Sequence, residues 1–230
     1  MNYWYLILGK LQISIQVLFW LLIFYWLDFE LFTFILNDFY FFKIILGMII
    51  VSFQLFLFYY ILLIIKIDSI FEIENNTELQ NINEKHDYTT CKKCNILRPK
   101  RTHHCRYCNK CILVMDHHCF TFNKCIGKKN YQYFLKYLIF TEINSSYIFW
   151  ITIYVYLNYY TEFSLILYIK YGIMIIGSFM GSLSIFFYLL FHAYLYLSNL
   201  TTLEYIYPNL RINIINNKEI NNNQKKKNNN

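Results

Sequence analysis

Residues 91–127 read CKKCNILRPKRTHHCRYCNKCILVMDHHCFTFNKCIG, and this stretch decides how the rest of the chain is read. It holds all seven cysteines of the protein (Cys91, Cys94, Cys105, Cys108, Cys111, Cys119, Cys125) and four of its six histidines (His103, His104, His117, His118). In Cys91-Lys-Lys-Cys94 and Cys105-Arg-Tyr-Cys108, two residues separate the sulfurs, a spacing that forms a tight turn and points both thiolates at one metal ion. An odd number of cysteines argues against a disulfide framework, which would also leave the histidines unexplained. Interleaved Cys and His at these gaps read as zinc sites facing a reducing compartment. Two closed tetrahedral sites take eight ligands, whereas seven cysteines and four histidines make eleven, so three are spare. A zinc-bound thiolate is a poor nucleophile, but a spare cysteine beside a spare histidine and a carboxylate is a candidate for catalysis. Spacing alone does not say which residues are spare.

The flanks of this stretch are apolar. Over the whole chain the hydrophobic fraction is 57%, aromatics make up 21% and charged residues only 15%, against about a quarter charged in a soluble chain. A helix needs about 20 apolar residues to cross a bilayer core. Four segments reach that length, near Leu11 to Leu27, Phe42 to Ile65, Phe134 to Leu157 and Ile173 to Leu197. Leu31 to Leu36 is too short to span. The first segment ends in no small-residue cleavage pattern and is read as a retained span. No internal repeat is evident. Asn75 to Asn83 looks like a flexible lead into the cysteine-rich region, and the Asn- and Lys-rich tail from Asn216 to Asn230 looks disordered.

Charge sets the expected topology. From Lys85 to Lys129 there are eleven Lys or Arg against two acids, Asp87 and Asp116; with Lys66, the loop between the second and third spans holds twelve of the 21 basic residues. The other two loops carry mainly acids or few charges, so the cysteine-rich loop is expected in the cytosol, with both termini beside it. A basic loop between membrane spans favours an anionic leaflet or a phosphorylated cofactor over nucleic acid.

The stretch resembles the zinc-dependent protein S-acyltransferases (palmitoyltransferases) named for their Asp-His-His-Cys motif, here Asp116-His117-His118-Cys119. The resemblance extends through Cys125-Ile-Gly127 and Asn130 to Phe134, and to Thr201-Thr202-Leu203-Glu204, which matches the Thr-Thr-x-Glu element that packs against the family's active-site loop. It implies an all-α integral membrane protein whose four transmembrane helices carry a cytosolic cysteine-rich domain, with two zinc ions, between the second and third. The implied division is 1–68 for the first two helices, 69–133 for the zinc-binding catalytic domain, 134–198 for the last two helices and 199–230 for the C-terminal segment. One zinc would be held by Cys91, Cys94, His104 and Cys111, the other by Cys105, Cys108, His118 and Cys125. Cys119 would be the nucleophile, His117 its base and Asp116 the group that orients the base. Palmitoyl-CoA or another acyl-CoA would be the co-substrate, its chain in an apolar cavity among the spans. Membrane-proximal cysteines of other proteins would accept the acyl group, through an acyl-Cys119 lipoprotein intermediate.

Some positions depart from the family pattern. Phe120-Thr121 stand where a Pro-Trp pair is usual, Lys124 replaces an Asn, and Asp68-Ser69 is what remains of an Asp-Pro-Gly element. Lys128 and Lys129 are candidates for the CoA phosphates, His103 has no assigned role, and His192 reads as a packed residue of the fourth span. The competing readings are a membrane-anchored zinc module for recruiting partners and an inactive acyltransferase-like scaffold.

Overall fold

Neither of the two prolines, Pro99 and Pro208, falls in an apolar segment, so nothing interrupts the long helices there. The structure, a computed structural model, describes residues 40–72, 88–159 and 164–210. Helix α1 covers Tyr40–Lys66, α2 Tyr131–Tyr159 and α3 Leu165–Leu197. The first expected span, the Leu31 to Leu36 segment, the Asn75 to Asn83 lead and the Asn/Lys-rich tail lie outside the described residues. Among the described residues, two helices, Tyr131–Asn158 and Leu165–Leu197, are long and apolar enough to cross a membrane, and a shorter apolar stretch, Val51–Lys66, belongs to α1. At 1.5 Å per residue, α2 and α3 are about 44 and 50 Å long, well over the roughly 30 Å of a hydrocarbon core. Helix α3 begins eight residues before the expected fourth span. Lys170 therefore lies inside it rather than in the preceding loop, because Leu165 to Lys170 contains no Gly or Pro to delay helix formation.

The chain divides into two compact units. One comprises residues 7–63 and 133–192, and its described parts are helical. Its surface is apolar: Trp150, Leu157, Ile173, Ile176 and Phe187 are each more than 60% exposed. Such a surface is stable in lipid and aggregation-prone in water. Several of its hydroxyls are satisfied without solvent, as a membrane favours. Thr141, Thr152 and Ser178 donate to carbonyls four residues back at 2.6–2.7 Å. Ser182 of α3 donates to Glu142 Oε1 of α2 at 2.8 Å, and Ser146 lies between them. His192 is fully buried against the rings of Phe134 and Tyr188, as a packed residue should be.

The other unit comprises residues 1–6, 64–132 and 193–230. Here the all-α expectation needs correction. Six short strands form three separate antiparallel hairpins: β1 (Tyr88–Cys91) with β2 (Ile96–Pro99), β3 (His103–Cys105) with β4 (Lys110–Ile112), and β5 (His117–Cys119) with β6 (Lys124–Ile126). A second correction follows, since the hairpins are an internal repeat of 14 residues. Cys91, Cys105 and Cys119 occupy one position of it; Asn95, Asn109 and Asn123 another; His104 and His118, Cys111 and Cys125, and Ile112 and Ile126 further ones. Each Asn closes its turn in the left-handed region, with φ of 54°, 53° and 47°, a conformation that Asn tolerates better than other side chains. Ile112 and Ile126 are 1% and 0% exposed and give each of the last two hairpins an apolar anchor.

Asn130, fully buried, ties this unit together. Its Oδ1 accepts from Ser69 Oγ and the Gly127 amide at 2.9 Å each, while Nδ2 donates to the carbonyls of Ile67 and Cys125. Gly127 is required at that point, since a Cβ there would lie 2.7 Å from the Leu113 carbonyl oxygen. Helix α4 (Thr202–Ile206) follows α3, and a reciprocal capping box of Thr201 and Glu204 starts it.

Candidate active site

The hairpins build two clusters by a shared rule. The turn of one hairpin supplies two cysteines, and the next hairpin supplies a His and a Cys that face each other across its strands. His104 pairs with Cys111 and His118 with Cys125 in register, so each pair lies on one face. Cys91, Cys94, His104 and Cys111 bring their ligand atoms within 4.8 Å of one another, and so do Cys105, Cys108, His118 and Cys125. Cys94 Sγ is 3.1 Å from His104 Nδ1 and 3.7 Å from Cys111 Sγ; Cys108 Sγ is 3.3 Å from Cys125 Sγ. A tetrahedral zinc ion spaces such ligands by about 3.5–3.8 Å, so both clusters could hold a metal ion.

Soft ligands this close cannot all be anionic on their own. Hydrogen bonds from Cys108 and then Cys125 pull the Cys105 thiol far down, while its bonds to Cys105 and Cys108 push Cys125 far up. Cys108 is pushed up to about 11, chiefly by its bond to Cys105. In the other cluster, burial pushes Cys111 up to about 12; burial also opposes ionisation of Cys91, yet amide hydrogen bonds from Cys94 and Lys93 bring it down to about 7. A divalent cation resolves the conflict by taking the thiolates as ligands.

Cys119 belongs to neither cluster. Strand β5 explains why. Alternate residues of a strand face opposite ways, so His118 turns to the second cluster while His117 and Cys119 turn away from it together. Their side chains are hydrogen-bonded to each other. His117 Nδ1 lies 2.7 Å from Asp116 Oδ2, and Asp116 is 2% exposed. Two more bonds reach that carboxylate, from the Thr202 amide to Oδ1 at 2.8 Å and from the Thr202 hydroxyl to Oδ2 at 2.7 Å. Burial pushes the Asp116 carboxyl up, but the bonds from His117 and Thr202 outweigh it and hold the group below the usual carboxylate value. Burial disfavours charge on His117 as well, yet its bonds to Asp116 and Cys119 raise it to about 9. Burial likewise opposes a Cys119 thiolate, and His117 and the Phe122 and Thr121 amides overcome that to lower the thiol. The arrangement favours a thiolate–imidazolium pair over a neutral thiol and imidazole.

Each sequence-expected residue is thus accounted for, in two four-residue clusters and one Asp116–His117–Cys119 chain. The Thr-Thr-x-Glu element reaches the site through Thr202, while Glu204 receives Arg101 bidentately at 2.7 and 2.8 Å. The departures from the pattern find partners. Lys124 Nζ pairs with Asp68 at 2.9 Å and donates to the Ile65 carbonyl, so two of the altered positions meet. Ser69 serves Asn130 and accepts from the Lys129 amide. Phe120, 51% exposed, sets its ring 5.0 Å from those of Tyr107 and His118. Lys128 and Lys129 are exposed. His103, one repeat before His117, is half-buried, and burial followed by the Arg98 charge lowers its pKa. Sequence reasoning missed Phe122, Asn123, Ser69 and Arg101, although the 14-residue period would have flagged the first two.

A thiol kept out of two Cys3His clusters that could hold metal ions, and paired with a carboxylate-held histidine, is a candidate nucleophile in a chain with long apolar helices. Residues 84–209, more than half of the chain, match the DHHC palmitoyltransferase family, and the protein belongs to that family. No curated protein matches the chain.

Proposed function

We propose that the protein is a four-span membrane S-acyltransferase that moves a long acyl group from acyl-CoA to cysteine thiols of other proteins through Cys119. The observation that carries this reading is the hydrogen-bonded chain Asp116–His117–Cys119, in which the sulfur is not needed by either metal cluster.

In the first half-reaction the Cys119 thiolate attacks the thioester carbonyl carbon of acyl-CoA. The tetrahedral intermediate collapses by breaking the bond to the CoA sulfur, which takes the His117 proton and leaves as a thiol. In the second, His117 accepts the proton of the incoming cysteine thiol, and that thiolate attacks acyl-Cys119 and releases Cys119 as a thiolate. Asp116 keeps Nδ1 of His117 protonated, so only Nε2 exchanges protons. Each step trades one thioester for another, so the net driving force is small and positioning carries the catalysis. Two zinc ions, held by Cys91, Cys94, His104 and Cys111 and by Cys105, Cys108, His118 and Cys125, would cross-link the hairpins; His118 anchors the residue next to the nucleophile. The cysteine-rich unit and both termini face the cytosol, on the excess of Lys and Arg in the loop that carries the hairpins.

The test supplies the detergent-solubilised, metal-loaded protein with a fluorescent or alkyne-tagged palmitoyl-CoA. Expected is label on the protein that hydroxylamine removes and that Cys119→Ser abolishes, with transfer to an added cysteine substrate. An unlabelled protein of full metal content would instead mean a zinc module or an inactive scaffold.

A further inference from the structure

The 14-residue repeat places Cys119 where Cys91 and Cys105 stand in the first two hairpins, and Phe122 where Cys94 and Cys108 stand. No fourth hairpin follows to offer a His–Cys pair, because α2 begins at Tyr131. The turn itself is the same. Cys119 pairs with Lys124 as Cys105 does with Lys110 and Cys91 with Ile96, and Asn123 keeps the left-handed conformation of Asn95 and Asn109. In the metal-ligand turns, amides point at the first sulfur: Cys108 N lies 3.4 Å from Cys105 Sγ, and the Cys94 and Lys93 amides bond to Cys91. In the third turn Thr121 and Phe122 stand where Lys93 and Cys94 stand in the first, so the shared turn shape puts their amides on the Cys119 side. Phe122 is 5% exposed, so a packed ring occupies the position of the second cysteine.

We propose that the third hairpin is a metal-ligand turn converted into a holder for a free thiolate, with Phe122, in place of a second cysteine, and Asn123 as positioning residues for acyl transfer. A metal ion would consume the sulfur lone pair that has to attack the thioester. The amide donors stabilise the same negative charge from the turn side only and leave the opposite side open. Phe122 withholds the second ligand that would let a metal compete, and Asn123 holds the turn in the shape that aims the amides.

The proposal rests on the acyl-transfer reading of Cys119, but its test reads the sulfur by iodoacetamide alkylation, with no acyl donor. Cys119 alkylation, mapped by mass spectrometry, and metal content per chain are measured on the whole solubilised protein. With zinc added, Phe122→Cys is expected to take up more zinc than the wild type and to lose Cys119 alkylation at least about tenfold, a loss that partial chelation reverses. Asn123→Val, whose β-branched side chain resists the left-handed region, is expected to slow alkylation about tenfold, the value of one charge-assisted hydrogen bond, and Asn123→Gly to restore it. A Phe122→Cys protein with unchanged metal content and wild-type alkylation overturns the proposal. Should that variant not fold, the Asn123 pair decides alone: equal alkylation rates in the Val and Gly variants overturn it.

Discussion

Replacing Asp116 by Asn changes one atom and breaks or reverses the two hydrogen bonds that Oδ2 accepts. The carboxylate accepts from His117 Nδ1, the Thr202 amide and the Thr202 hydroxyl. An Asn can still accept at one oxygen, but its NH2 can accept from neither the hydroxyl nor Nδ1. Nδ1 would then accept from the NH2, which leaves the proton on Nε2, the atom that has to take protons from thiols. A hydrogen bond to a charged group is worth about 1.5–3 kcal/mol, and the His117 bond is buried and 2.7 Å long, so the upper end applies. At 1.36 kcal/mol per decade, the loss is on the order of a hundredfold in the first half-reaction. The assay is single-turnover release of CoA from palmitoyl-CoA in a detergent micelle, with metal content measured on the same sample. Release within about threefold of wild type, at unchanged metal content, would refute the orienting role of Asp116.

Thr202→Val removes one of the three donors to Asp116 and keeps the backbone bond, so acylation should fall about tenfold, less than in Asp116→Asn, in the same assay. Cys119 is lowered and His117 raised to about 9; because the thiolate fraction rises as pH passes the thiol's own pKa, iodoacetamide should alkylate Cys119 at pH 6–7 far faster than a model thiol of pKa about 8.5. Lys124→Ala loses a pair in which Asp68 is 51% exposed; the cost should stay near 1 kcal/mol or less, read as a small shift in thermal midpoint. Asn130→Ala strands buried donors and acceptors at Ser69, Gly127, Ile67 and Cys125; a loss of roughly 3 kcal/mol is expected, read as a lower yield of folded protein or a lower thermal midpoint.

The long apolar helices of the described residues were legible because their signal is additive: each of dozens of apolar residues contributes, and no Pro intervenes. Among the described helices the start at Leu165 was misjudged, although Ser164 before it is a residue type that favours an N-cap. The cysteine-rich region was legible in its ligands and opaque in its shape. Strands of three or four residues are too short to show a two-residue hydrophobic alternation, and metal ligands replace the apolar core that would normally set that pattern. Counting ligands left three residues over but could not assign them. What assigns them is the face of β5, on which His117 and Cys119 point one way and His118 the other.

The 14-residue period carries that point further. Repeating a hairpin whose turn supplies two ligands and whose strands supply two more always leaves a terminal turn with nothing to complete it. In this chain the terminal turn is the one that holds Cys119, with Phe122 in place of the second sulfur. The residue one repeat before His117 is His103, and the one before Asp116 is Thr102; Thr102 Oγ1 and His103 Nε2 are buried with no hydrogen-bond partner. The second hairpin thus carries a Thr-His counterpart of Asp116-His117, followed by a cysteine that its own cluster claims. The two hairpins differ at Thr102/Asp116, Arg106/Phe120, Tyr107/Thr121 and Cys108/Phe122, and Thr202 reaches Asp116. A carboxylate for a hydroxyl and a phenyl ring for a thiol are the changes that would let the third hairpin keep a thiolate free, so the candidate nucleophile and the candidate metal clusters are built from variants of one 14-residue unit.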